Sequence, residues 1–215
     1  MLLAEQRRLL CEYGRRTTEA GLVIGTSGNL SVRVGELVAV TPGGIALDHL
    51  EPESCPVIDV EGHLVDGELQ PSSETPMHLA VYTATGARAV VHTHSTFATV
   101  VATTMTELPA IHYNTLLLGG TVRVAGYATY GTPELAANVS AAIQDRRAAL
   151  LAGHGGVTVG DDLPAAFEAT RLLEWLCEVY VRARAVTEPR VLTAEELSAV
   201  ALRALTPPRF PRREN

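Results

Sequence analysis

The apolar runs of this chain are short, and that restricts its fold more than any other property. ARAVVHTH at 87–94 and AALLAGHGGVTVG at 148–160 are largely apolar but brief. They are expected to be buried strands, the second run forming two strands pinched at GHGG. No run approaches the ~18 uncharged residues of a membrane span. Between these runs lie helical patterns. Residues 2–20 predict a helix that Gly21 stops, and 71–84 predict one with Ser73 as N-cap and Pro76 in its first turn. STFATVVATT predicts a helix capped by Ser95 or Thr96. The stretch after VRVAGYATYG predicts another, with Thr132 as N-cap and Pro133 in first place. Residues 163–186 form a long amphipathic pattern, and TAEELSAVALRAL opens with a capping-box pair, Thr193 and Glu196. LSVRVGELVAVTP alternates around Gly35 as a hairpin would. The sum is one mixed α/β domain over 1–205, followed by a Pro/Arg tail at 206–215.

Composition then narrows the chemistry. All 17 basic residues are arginine. Without a lysine the chain cannot form a Schiff base or build the GK[ST] of a P-loop. A formal net charge of -7 and no basic stripe argue against a nucleic-acid partner. Cys11, Cys55 and Cys177 are odd in number, far apart and in no CxxC pair, which fits a reducing cytoplasm and argues against a disulfide framework or a thiolate metal site. No signal-peptide pattern opens the chain, because Glu5, Arg7 and Arg8 interrupt its apolar residues.

His92 and His94 are the strongest pair for chemistry. Side chains two apart on a strand face the same way, so His92 and His94 can converge on one ion. An isolated HxH also reads as a hydrogen-bonded core histidine. His154 adds weight to the metal, because Gly153, Gly155 and Gly156 frame it and allow close backbone approach. Three histidines form a zinc set that leaves a position for substrate. Glu74, in PSSET at a helix start, is either a structural cap or a ligand and proton shuttle. Free N–H groups of Ser72, Ser73 and the GTSGN and TPGG turns are expected to cradle an anion such as phosphate. His49 and His63 are read as surface residues, and His112 as lying beside a site.

GTSGNLSVR, VTPGGI, PSSE, AVVHTH, PAIHY, YATYGTPEL, LLAGHGG and the E-x-x-x-x-Y of the long helix together resemble the class II aldolase family. They follow the family's order and spacing from about residue 5 to 200. The resemblance implies a three-layer α/β/α domain around a mainly antiparallel sheet, in a cyclic homotetramer with active sites at subunit interfaces. It implies zinc, or another divalent ion such as manganese or cobalt, on His92, His94 and His154. Glu74 becomes the catalytic glutamate and a further metal ligand. Phosphate falls to Asn29, Gly44, Ser72 and Ser73, with Thr26 and Gly28 shaping the loop. Gly43, where close relatives carry threonine, offers only its backbone. Tyr113 matches a proton donor from the neighbouring subunit. The implied reaction cleaves L-fuculose 1-phosphate or a 5-deoxypentulose 1-phosphate to dihydroxyacetone phosphate and a small aldehyde. Rival readings are the family's 4-epimerase branch, a methylthioribulose-1-phosphate dehydratase and an adducin-head-like binding module. Glu74 favours the aldolase over the epimerase, whose relatives carry aspartate there, although Thr75-Pro76 looks like that branch. Gly153 stands where the aldolase has histidine, and Phe210 roughly where a tyrosine closes the site.

Overall fold

A computed structural model describes residues 1–206. In chain order it runs α1 (Ala4–Glu19), β1 (Asn29–Val34), β2 (Leu37–Val40), β3 (Val57–Asp59), β4 (Leu64–Asp66), α2 (Thr75–Thr85), β5 (Ala89–Thr93) and α3 (Thr96–Thr104). There follow β6 (Glu107–Leu108), β7 (Val122–Ala125), α4 (Pro133–Ile143), β8 (Ala148–Leu151), β9 (Gly155–Gly160), α5 (Leu163–Val186) and α6 (Ala194–Leu205). Among the described residues the strands form one sheet in the order β4-β3-β2-β1-β5-β9-β8-β7-β6. Neighbours are antiparallel except β7 and β8. That pair is joined through α4, the kind of crossover a parallel connection needs. Phe210 lies outside the described residues.

Strand residues alternate between two faces, and the alternation divides the core. Val38, Val40, Val90, Ala149 and Leu151 pack against Met77 and Val81 of α2 and Leu135 and Val139 of α4. Their neighbours Ala39, Ala89 and Val91 face the other way, onto Leu10 and Tyr13 of α1 and Phe167 of α5. Ala148 and Leu150 continue that second face against α3 and the C-terminal half of α5. The sheet is therefore covered by helices on both sides, and mixed but mostly antiparallel. No helix of the described residues is long and apolar enough to cross a membrane.

The expected helices at 163–186 and after Thr132 form as read, and Thr193 and Glu196 close a reciprocal capping box. One start is corrected. Ser73 does not cap α2; Glu74 occupies the N-cap position, and its side chain makes no cap hydrogen bond. Ser72 Oγ accepts from the Glu74 N–H, and Thr75 Oγ1 donates to the Ser72 carbonyl. The helix thus opens without its carboxylate, which is free to turn toward the sheet. At α3, Ser95 holds the N-cap position, but its hydroxyl donates to Glu174 of α5. The Glu174 carboxylate accepts the N–H groups of Phe97 and Ala98 instead. The chain is pinned at the point where it leaves His94.

Candidate metal centre

His92 lies on central strand β5, wholly buried, with β1 on one side and β9 on the other. His94 follows just past the strand end, and His154 sits in the turn between β8 and β9. Gly155 makes this approach possible, since a Cβ there would stand 2.2 Å from the Thr93 carbonyl oxygen. Only glycine lets the hairpin close to that distance. Glu74 enters from the start of α2, 6% exposed.

The side chains converge. His92 Nε2 lies 3.0 Å from His94 Nε2 and 3.1 Å from Glu74 Oε2, and His154 Nε2 lies 3.3 Å from Glu74 Oε1. One ligand atom from each of the four falls within 4.8 Å of the others. The three rings meet edge to face, at interplanar angles of 71°, 75° and 84°, so they point inward rather than stack. His92 Nδ1 is 3.0 Å from the Gly156 carbonyl and donates to it. Its Nε2 is then bare in the neutral ring and aimed at the cluster, which is how a metal-binding imidazole is held.

Protonation agrees with this geometry. Burial, and then the neighbouring His92, push His94 down to about 4; the same causes in the same order bring His154 to about 4. Both rings are neutral at pH 7. Burial pushes the Glu74 carboxyl up, but His92, the Asn29 amide and His154 together outweigh it and hold the group well below the usual carboxylate range. Neutral imidazoles beside an ionised carboxylate are the state a divalent cation requires. Glu74 Oε1 is buried and makes no hydrogen bond. Such an oxygen is costly unless something positive meets it. The residues fit a metal ion.

Above the cluster opens a cavity of about 630 Å³, within the range of small-ligand sites. Glu74, His94 and His154 form its floor, and three turns form its rim. The first brings Thr26, Gly28 and Asn29; the second Gly43 and Gly44; the third Ser72 and Ser73. A bridge between Pro42 and Pro71 ties the last two together. At Gly28 φ is +79°, and a Cβ would meet Val23 at 2.5 Å, so the first turn also needs glycine. One expected donor is spent: the Ser72 N–H bonds to the Thr41 carbonyl. Asn29 also turns its amide inward, donating through Nδ2 to Glu74 Oε2 at 2.9 Å.

Residues 8–181 match the Class II Aldolase and Adducin N-terminal domain family. The chain belongs to that family. It is 36% identical over 204 residues to the 5-deoxy-D-ribulose 1-phosphate aldolase of Bacillus thuringiensis, covering 94% of this chain and 96% of that one. It is 41% identical over 198 residues to the 5-methylthioribulose-1-phosphate/5-deoxyribulose-1-phosphate aldolase of Rhodospirillum rubrum, covering 90% and 88% respectively. Among solved structures, an L-fuculose 1-phosphate aldolase superposes with a TM-score of 0.91 at 40% identity, covering 95% of this chain and 98% of that chain.

Other sequence-derived sites of this class II aldolase fall elsewhere. Tyr113 is 50% exposed and does not line its own chain's cavity. It stacks on His112, whose ring also meets the edge of Trp175. His49 and His63 are exposed. Two further residues, Tyr127 and Tyr130, stand on the cavity wall. They belong to YATYG, and the aromatic spacing there was their only signal. His78 carries no motif in the sequence. It is fully buried behind Glu74, bonded to Asn29 and Ser31.

Proposed function

We propose that this class II aldolase binds a divalent metal, zinc by preference, on His92, His94, His154 and Glu74, and reversibly cleaves a ketose 1-phosphate. The products are dihydroxyacetone phosphate and a small aldehyde, and the substrate is L-fuculose 1-phosphate or a 5-deoxypentulose 1-phosphate. One observation carries the reading: three imidazoles and a carboxylate converge at the floor of a sugar-sized cavity with turn-rich walls. A nitrogen-and-oxygen donor set of this size favours zinc. The aldolase names of the relatives, at 36% and 41% identity, support cleavage over epimerisation, dehydration or a purely structural role.

An ion held by His92, His94 and His154 would supply Lewis-acid stabilisation of charge developing on the substrate's ketone oxygen. Glu74, within reach of both metal site and cavity, exchanges the proton on the dihydroxyacetone phosphate carbon. The amides of Gly43, Gly44 and Ser73, with the Ser72 hydroxyl and the turn at 26–29, hold the phosphate and so place the reacting carbons. Tyr113 handles the proton on the aldehyde oxygen. Its exposure and its absence from the lining of its own cavity support a role in a neighbouring subunit's site, within a homotetramer. Free, buried cysteines support a cytoplasmic protein.

The test is metal analysis of the purified protein, then incubation with a panel of ketose 1-phosphates and identification of products by NMR. Zinc near one per chain with release of dihydroxyacetone phosphate is expected. A metal-loaded protein that cleaves none of the panel would overturn the reading.

A further inference from the structure

Behind Glu74 stand three buried polar side chains, Ser31, His78 and Tyr82, that the reaction above does not use. Glu74, His78 and Tyr82 recur every fourth residue from the cap of α2, which puts them on one stripe of the helix. Asn29 and Ser31 alternate onto one face of β1. The two sets interleave in single file. Glu74 Oε2 lies 2.9 Å from Asn29 Nδ2, and Asn29 Oδ1 lies 2.6 Å from His78 Nε2. His78 Nδ1 lies 2.6 Å from Ser31 Oγ, which lies 2.7 Å from the Tyr82 hydroxyl. All five residues are buried.

The carboxylate sets the direction of this file. An ionised Glu74 accepts only, so Asn29 must present its NH2 and keep its oxygen behind. That oxygen faces His78 Nε2, which must then carry a hydrogen. In a neutral ring Nδ1 is left as acceptor, so the Ser31 hydroxyl donates to it, and the Tyr82 hydroxyl donates to Ser31. Every donor is used once and every hydrogen points toward Glu74. Burial, and then the neighbouring His92, hold His78 below its ordinary value, and burial keeps Tyr82 protonated. Neither ring changes charge near neutral pH.

We infer that His78 is a positioning residue for Glu74: its Nε2–H fixes the Asn29 amide, so that Asn29 always offers the carboxylate a donor and never an oxygen. The inference rests on Glu74 being the proton-transferring group of the reading above. His78 touches neither cavity nor metal site. Its loss leaves the three histidines and the backbone of the phosphate turns in place, and frees only the side-chain amide of Asn29, which is turned to Glu74, to reverse. The effect belongs on kcat rather than KM.

Two measurements test this. Nitrogen-15 NMR of the histidine rings at pH 7 should show His78 neutral, with hydrogen on Nε2 and none on Nδ1. The opposite tautomer or a doubly protonated ring overturns the inference, whatever the activity of the protein. The second is kinetic. His78→Leu should keep the parent's metal content and a KM within about twofold, while kcat falls about 10- to 100-fold. His78→Gln, whose side chain can donate to Asn29 and accept from Ser31, should recover most of the loss. A Leu variant with parental kcat, or a Gln variant as impaired as Leu, overturns the inference. Should the Leu variant fail to fold, Ser31→Ala, which removes only the donor behind the ring, replaces it with the same direction expected. Failure of the functional reading is distinguishable, because it appears as an inactive parent protein while the tautomer still decides the role of His78.

Discussion

Asn29 faces His92 directly across the pairing of β1 and β5, and both reach Glu74 from the same side of the sheet. The carboxylate is therefore gripped from two adjacent strands at once, by an amide donor and an imidazole. This arrangement separates the two tasks assigned to Glu74. Its Oε2 is held, and its Oε1 is bare.

Glu74→Gln should test the proton-transfer task. The three histidines remain, so metal content should stay near that of the parent. Turnover should fall about 10²- to 10⁴-fold, the usual range for losing a general acid–base group. Aldol cleavage at the parental rate would remove Glu74 from the mechanism.

Replacing His92 removes the proposed ligand on the central strand. His92→Ala should abolish zinc binding, and zinc should no longer raise its unfolding temperature. In the parent, zinc at about 100 times its dissociation constant should add about 2.7 kcal/mol of stability. An equal thermal shift in parent and variant would place the metal elsewhere.

Gly155→Ala tests the close approach of the hairpin. The added methyl would lie 2.2 Å from a backbone oxygen on β5, not from a flexible side chain. A loss of roughly 1–3 kcal/mol is expected from overpacking, read as a lower midpoint in urea. An unchanged midpoint would mean that β9 can stand off from β5 at no cost.

The metal-free protein should lose stability in mild acid. His78, His94 and His154 are all held below their ordinary value of 6.5, the first to about 3 and the others to about 4. As pH falls below about 6.5, the unfolded chain takes up protons that the folded chain refuses. Stability is full above that pH and declines toward pH 4, by up to about 1.4 kcal/mol per pH unit for each histidine. Denaturant melts from pH 7 to 5 would show it. A flat profile would mean that these rings titrate normally in the folded state.

Much of this is legible in the amino-acid sequence itself. α5 spans the amphipathic stretch at 163–186, and α4 begins at the Thr132–Pro133 signal, because local propensity and capping decide such elements. His92, His94 and His154 meet because strand alternation and glycine framing are local codes. The errors were tertiary. Ser73 looked like the cap of α2 on hydroxyl chemistry alone, but Glu74 takes that position with its side chain drawn into the sheet. Ser95 looked like a side-chain cap, whereas Glu174, 76 residues from Ala98, supplies that acceptor. His78 carried no motif. Its meaning depends on β1, which no reading of its own helix contains.

The pairing of distant strands around His92 has a consequence for assembly of the chain. Asn29 and Glu74 are 45 residues apart, and His92 and Gly156 are 64 apart, so both loops must close before the four ligands meet. A nascent chain that has not yet produced His154 has no site to fill. Metal uptake therefore waits until both loops have closed.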